Sequence, residues 1–330
     1  MMLVRADASA AIGMGHAMRC LALVQAAGSG TFLMADPPEA FVARADGRVS
    51  TLSAAPGTAA DAQETASRAH GERADWVVLD GYHFDGFFQQ VLVDAGLRVL
   101  ALDDHGHAGH YAAHLVLNQN LGATEAPYAD RATYTRLLLG PRHALLRGEF
   151  RDLELPERVA PARARRILVT LGGSDPDNVS ALVLAGLALV PGPLEIQVLV
   201  GGANPHRAAL ARIAGPHPVE LVTDARDMPE RMLWADLAVA AAGGSAWELA
   251  RVGTPQVTIV LADNQRPAGA ALAAEDLSVV LGWHADVTAG ALVAAVGGLV
   301  DDAARRAELG ARGRALIDGR GAFRVLEAMQ

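Results

Sequence analysis

The feature that most constrains this chain is a repeated alternation. Short, unbroken apolar runs stop on glycine or a polar residue and give way to longer segments of helical period. In the first half "MLVRA", "TFLMA", "DWVVLD", "RVLALD" and "HLVLNQN" read as strands, with Ala-rich helical stretches over 15–28, 58–71 and 84–95 between several of them. The pattern restarts with "RILVTLGG", "LEIQVLVGG", "VELVTD", "DLAVAAAGG", "QVTIVL" and "LSVVLG". Runs without polar alternation are strands covered on both faces, and strand–helix alternation makes neighbouring strands parallel. The expected fold class is α/β, with two Rossmann-like doubly wound domains facing across a cleft. Ligands are then expected at the carboxyl ends of the strands. "PERVAPARARR" (156–166) has no period, so the domains are expected at 1–155 and 156–330, with a hinge near 156–166. Residues from 287 onward read as two or three terminal helices.

Composition removes several function classes. A length of 330 residues suits two domains, and 51% hydrophobic content supplies both cores. A net charge of −9 argues against nucleic acid as a partner, because phosphate binding needs a basic surface. All 28 basic residues are arginine. With no lysine, a P-loop lysine, a Schiff-base lysine and a Ser–Lys pair are excluded. The lone Cys20 cannot make an internal disulfide or a Cys-rich zinc site and reads as a small buried packing residue. No signal-peptide pattern and no bilayer-length apolar run are present. The expectation is a cytoplasmic protein, not inserted in a membrane, that acts on a small molecule. Its oligomeric state stays open.

The first turn, "IGMGHAMRC", places Gly13 and Gly15 ahead of a helix and His16 at its mouth. It fails as a dinucleotide fingerprint, since Met18 occupies the third glycine position, although Asp36 lies where a ribose-binding acid would. At the positive end of a helix dipole the imidazolium is disfavoured, and a neutral imidazole is a competent proton acceptor. Otherwise it is a helix-start histidine bonded to backbone. Arg5 and Asp7 close the same strand; they either line a site or form a local ion pair. "LVTLGGSDPDN" leads a strand into Gly172, Gly173 and Ser174, where turn amides and a helix start suit an anion, with Asp175 or Asp177 as a cap. "AVAAAGGSAWELARVGTP" repeats the design with Gly243, Gly244 and Ser245, and Glu248, expected on the first turn of the helix that follows, is placed to grip a ribose diol or is an ordinary stabilising acid there. Two such turns in one domain suggest a nucleotide diphosphate. Tyr82, Asn264 and Gln265 follow strands and suit a ligand rich in amides and hydroxyls.

"LDDHGHAGHYAAH" offers a rival. His105, His107 and His110 have the spacing of a zinc hydrolase loop, with Asp103 and Asp104 upstream, but Gly109 stands where that motif needs an aspartate. The other reading is a polar loop lining the cleft.

Taken together, "RADAS", "IGMGHAMRCL", "LDGY", "LDD", "LVLNQN", "LGGSDPDN", "MPERMLWADLAVAAAGGSAWE" and "LADNQ" resemble the UDP-sugar hydrolase family of pseudaminic acid biosynthesis, from about Arg5 to Gln265. That family has the glycosyltransferase-B architecture and hydrolyses UDP-2,4-diacetamido-2,4,6-trideoxy-β-L-altropyranose to UDP and free sugar, without metal or cofactor. The resemblance implies that His16 is the general base and that Tyr82 stands beside it. It implies that the turns at 172–174 and 243–245 hold the diphosphate and that Glu248 holds the ribose. Asn264 and Gln265 would touch sugar or phosphate, with Asn118 and Met228 as further substrate-side positions. The histidine-rich loop and the missing arginine after Asp103–Asp104 depart from the family pattern. The alternatives are a glycosyltransferase of the same architecture, a zinc hydrolase using the histidine loop, and a sugar-nucleotide sensor without turnover.

Overall fold

A computed structural model describes residues 1–9, 13–202, 204–213 and 215–330, so Ile12 of the first motif lies outside the described residues. The chain divides into two compact units, the first comprising Met1–Arg151 with Gly319–Gln330 and the second Asp152–Asp318. The first unit is built on a seven-stranded sheet of order β3-β2-β1-β4-β5-β6-β7. Its strands are β1 (Met2–Ala6), β2 (Thr31–Met34), β3 (Val49–Thr51), β4 (Trp76–Asp80), β5 (Arg98–Leu102), β6 (Leu115–Asn118) and β7 (Arg136–Leu139). The second unit carries β8 (Arg166–Thr170), β9 (Glu195–Val200), β10 (Val219–Thr223), β11 (Leu237–Ala241), β12 (Gln256–Val260) and β13 (Val279–Trp283), in the order β10-β9-β8-β11-β12-β13. Every pairing is parallel. This is the expected α/β class, two doubly wound Rossmann-like units.

Burial explains why the central strands are the plainest in the sequence. β1, β4, β11 and β12 are buried at every position, so they read as continuous apolar runs. The edge strands β3 and β7 went unread: β3 has only three residues, none of them buried, and in β7 only Leu138 is buried.

The last helix changes the expected partition. A second domain running unbroken to residue 330 is corrected, because helix Gly321–Ala328 returns to the first unit. There Ala322, Val325 and Met329 join one core with Cys20, Leu21 and Val24 of helix Gly15–Ala27. Trp76 Nε1 donates to the Met329 carbonyl at 2.9 Å, and a Cβ at Gly321 would lie 2.6 Å from the Ala144 amide nitrogen. The expected hinge stretch is also held within the second unit. Arg314 donates to the Pro156 carbonyl at 2.9 Å, Arg158 to Leu233 and Ala235, and the buried Arg306 to Pro161. The chain passes between units at 151–152 and again at 318–319.

Candidate active site

In the first unit the strand order reverses between β1 and β4, whose register runs from Met2 beside Trp76 to Ala6 beside Asp80. Loops leaving adjacent strands in opposite directions open a crevice there. After β1 the chain turns through Gly13, whose φ of +80° suits only glycine and whose N–H donates to Ser9 at 2.7 Å. Helix Gly15–Ala27 then starts with no side-chain cap, and His16 is its second residue, buried. β4 ends on Asp80, followed by Gly81, Tyr82 and His83. Asp7, His16, Asp80, Gly81, Tyr82 and His83 line a pocket of about 330 Å³.

The side chains in this crevice form one connected network. His16 Nδ1 lies 2.6 Å from Asp80 Oδ1. Arg19, one turn along the helix, donates from Nε to Asp80 Oδ2 at 2.6 Å and from Nη2 to Oδ1 at 2.7 Å. Its other face meets Asp104 at 2.8 and 3.1 Å. Asp104 also accepts from Tyr82 Oη at 2.9 Å and Asn120 Nδ2 at 2.9 Å. The Tyr82 ring meets the His16 ring edge-on, centroids 5.1 Å apart. Burial opposes ionisation of Asp80, but the charge of Arg19 and the hydrogen bonds from Arg19 and His16 outweigh it and hold the carboxyl well below the ordinary range. Burial likewise opposes the charge on Arg19, and its two carboxylates overcome that and raise it.

Asp80 selects the tautomer of His16. A neutral ring facing a carboxylate through Nδ1 keeps its proton on Nδ1 and leaves Nε2 as acceptor. The helix start was the only influence expected from sequence. The carboxylate partner and Arg19 were missed, although "LDGY" carried the signal: a strand buried throughout that ends on an acid.

Arg5 is corrected from substrate contact to structural ion pair. It is fully buried, grips Asp61 through two bonds of 2.9 Å and lies 2.8 Å from Asp7. Asp7 does line the pocket, and its Oδ1 accepts from Ala35 N–H at 2.8 Å. Burial works against the Asp7 charge, and His83, Arg5 and the Ala35 amide together hold its carboxyl low. Asn118 turns its amide inward, donating to the Asp104 carbonyl at 3.1 Å and to Tyr128 Oη at 2.8 Å. One bond ties it to the segment that follows β5, the other to the segment that follows β6.

The histidine loop wraps around a buried carboxylate. Asp103 accepts from the amides of His105 and Gly106, both at 2.6 Å, and from Tyr111 Oη at 2.5 Å, while His107 Nδ1 lies 2.5 Å away. His105 packs on Tyr82, whereas His110 pairs with Asp130 at 2.7 Å. Among the described residues no group of three or more His, Cys, Asp or Glu side chains is arranged to hold a metal ion. His105 and His107 both pack on Tyr82, and His110 alone turns to Asp130.

In the second unit both glycine turns follow β8 and β11, neighbours at the reversal of strand order. They differ in one respect. After β8, Gly172 takes φ +86° and Asp175 accepts from the amides of Val179 at 2.8 Å and Ser180 at 2.9 Å. The first amides of helix Val179–Leu187 therefore already hold a carboxylate. After β11, helix Gly244–Val252 starts from Gly243 with no side-chain cap. That start holds no cap carboxylate, and the positive end of its helix dipole suits an anion. Gln265 follows β12 and adjoins it: a Cβ on Gly243 would sit 3.4 Å from Gln265 Nε2. Gln265 Oε1 accepts from Leu261 N–H at 3.0 Å, which fixes the amide. Asn264 beside it is exposed. Glu248 lies beyond the first turn of its helix, a correction to its expected place, and is half-buried. Met228 opens helix Met228–Trp234, which follows the edge strand β10 and leads into β11.

No family model matches the chain. It is 29% identical over 199 residues to the spore coat polysaccharide biosynthesis protein SpsG of Bacillus subtilis (strain 168), covering 59% of this chain and 58% of that protein. It is 24% identical over 202 residues to the uncharacterized protein MJ1062 of Methanocaldococcus jannaschii, covering 59% of this chain and 42% of the relative. The matches thus span about half the length of these curated relatives. Among solved structures, Acinetobacter baumannii MurG superposes with a TM-score of 0.70 at 17% identity, covering 99% of this chain and 98% of its own. The spinosyn rhamnosyltransferase SpnG gives 0.65 at 17% identity over 99% of this chain and 100% of its own. Anabaena Alr3699/HepE, solved in complex with UDP-glucose, gives 0.64 at 13% identity over the same shares. The chain has the glycosyltransferase-B fold.

Proposed function

We propose that this chain binds a UDP-sugar and cleaves the bond between the anomeric carbon and UDP, with His16 as the general base. The observation that carries the reading is the His16–Asp80 pair, because it leaves a proton acceptor at Nε2 in a pocket at the strand-order reversal. His16 takes a proton from water as the water attacks the anomeric carbon. The sugar passes through an oxocarbenium-like transition state, as in other inverting glycoside cleavage. The diphosphate leaves with its charge dispersed over amides at the uncapped helix start after Gly243, beside Gln265. A diphosphate is a good leaving group and needs no protonation, so one base suffices. Glu248, Asn264, Met228 and the turn at 172–174 complete the nucleotide side of the reading. No step runs through a metal or cofactor.

The substrate proposed is the UDP-linked diacetamido-trideoxy-hexose of pseudaminic acid biosynthesis, on the motifs quoted above. A second reading has a specific basis. The base that accepts a proton from water can accept one from an acceptor hydroxyl, and SpnG, which shares this fold, is a rhamnosyltransferase. The two readings differ in the atom attached to the sugar afterwards. Incubation with that UDP-sugar in oxygen-18 water, without any acceptor, tests them. UDP release with label on the free sugar is expected and is lost in His16→Ala. Label in UDP would mean attack at phosphorus, and release only on addition of an acceptor would establish transfer.

A further inference from the structure

His83 belongs to none of the roles assigned so far, yet it lines the same pocket as His16. Its Nε2 lies 3.2 Å from Asp7 Oδ2, and both atoms are buried without a well-directed hydrogen bond among the described residues. A ring nitrogen that close to a carboxylate oxygen carries its proton there. In the neutral ring the remaining lone pair is therefore on Nδ1.

The ring is set in place from several sides. It packs on Phe84 with centroids 4.0 Å apart. A Cβ on Gly57, where φ is +74°, would come within 3.1 Å of His83 Cβ. A Cβ on Gly81 would stand 2.9 Å from Cε1 and 3.3 Å from Nδ1. Gly81 itself lines the pocket, so the side chain it lacks is what leaves the Nδ1 edge uncovered. Asp7 is fixed in turn by Arg5 and by the Ala35 amide, each at 2.8 Å. A side chain oriented by a buried ion-pair cluster, with one acceptor turned to an opening, is arranged for a ligand more than for packing.

We propose that His83 Nδ1 accepts a hydrogen bond from an N–H or O–H substituent of the sugar that reacts at His16, with Asp7 and Gly81 as its positioning residues. The proposal rests on the sugar-nucleotide reading and adds to it a subsite that selects a hydrogen-bond-donating substituent. His83 takes no part in bond breaking, so its effect falls on substrate affinity. A single neutral hydrogen bond of this kind contributes on the order of a tenfold change.

The test compares wild type with His83→Gln, His83→Asn and Gly81→Ala. UDP release from the UDP-linked diacetamido-trideoxy-hexose is followed at steady state, and UDP affinity by calorimetry. Glutamine keeps a donor where Nε2 was and lacks the acceptor at Nδ1, so KM rises about tenfold with kcat nearly unchanged. Asparagine places its carbonyl oxygen near the Nδ1 position and recovers most of the loss. Gly81→Ala crowds the Nδ1 edge and behaves like the glutamine variant. UDP affinity is unchanged in all three, and a far-UV circular dichroism spectrum and urea midpoint matching wild type report that each variant is folded. Competition with UDP-N-acetylglucosamine and UDP-glucose separates the donors: a penalty confined to the first marks an amide N–H, and one shared by both marks a hydroxyl. Wild-type KM in His83→Gln, or no recovery in His83→Asn, overturns the subsite while leaving the sugar-nucleotide reading standing. A wild type that neither binds nor turns over any of the three sugar nucleotides overturns both.

Discussion

His16 and Asp80 lie 64 residues apart in the chain and meet with Nδ1 2.6 Å from Oδ1, one on the helix after β1 and the other at the end of β4. The contact exists because the parallel register carries Ala6 beside Asp80. Asp80→Asn keeps the shape and offers an N–H to Nδ1, which moves the ring proton to Nε2 and removes the acceptor. By analogy with the same exchange in a serine-protease triad, kcat falls by about 10³ to 10⁴. UDP affinity measured by calorimetry stays unchanged, and a kcat loss accompanied by a lowered urea midpoint would instead indicate that the first unit had collapsed.

Much of this architecture is legible in the amino-acid sequence, for a physical reason. Strands buried on both faces, such as β4 and β11, must be apolar throughout, and each stops where the chain needs a turn. β3, an edge strand of three residues with no buried position, is too short to show such a run and was invisible. Residue types at a site are legible for the same reason: His16 at a helix mouth is conspicuous. Partnerships are not. Arg19 looks like any helix arginine until β4 places Asp80 and the loop after β5 places Asp104 on either side of it. The histidine loop left two readings open, because spacing along the chain says nothing of the buried Asp103 around which the loop folds.

Arg5 supplies the clearest stability prediction. Replacing it by methionine leaves Asp61 and Asp7 buried beside each other without their cation. Removing one partner of a buried charge cluster costs about 3–5 kcal/mol. Urea unfolding followed by far-UV circular dichroism should show that loss in the first unit's transition. Unchanged stability with weakened ligand binding would restore Arg5 to the substrate.

Acid sensitivity follows from Asp7, Asp80 and Asp103, all of whose carboxyls are held below the ordinary range in the folded chain. Burial opposes the Asp103 charge, and His107, the Gly106 amide and Tyr111 outweigh it. A group depressed on folding adds stability above its unfolded value, about 4, and that contribution disappears as pH falls toward the folded one. Stability is therefore expected to hold near neutrality and to decline progressively below pH of about 4. Asp103→Asn is less stable at pH 7 and declines less steeply in acid. Urea midpoints collected across the acid range check both features, and an acid slope equal to wild type removes Asp103 from the account.

The contrast between the two glycine turns gives a prediction in which stability and binding move in opposite directions. Asp175 already caps helix Val179–Leu187, whereas helix Gly244–Val252 has no side-chain cap. Gly243 sits at φ −119° and ψ −153°, an extended conformation that an aspartate adopts without strain. In Gly243→Asp the new carboxylate can fold onto the amides of its own helix, adding up to roughly 1 kcal/mol of stability. Those are the amides proposed to hold the diphosphate, so the same carboxylate occupies their site and repels the ligand's charge. UDP affinity should fall at least about tenfold while the melting temperature holds or rises, the size expected when one charge-assisted hydrogen bond is lost. The matching change in the other turn, Asp175→Ala, should cost about 1 kcal/mol of stability and leave UDP affinity nearly intact. If Asp175→Ala weakened UDP and Gly243→Asp did not, the diphosphate would belong to the turn after β8.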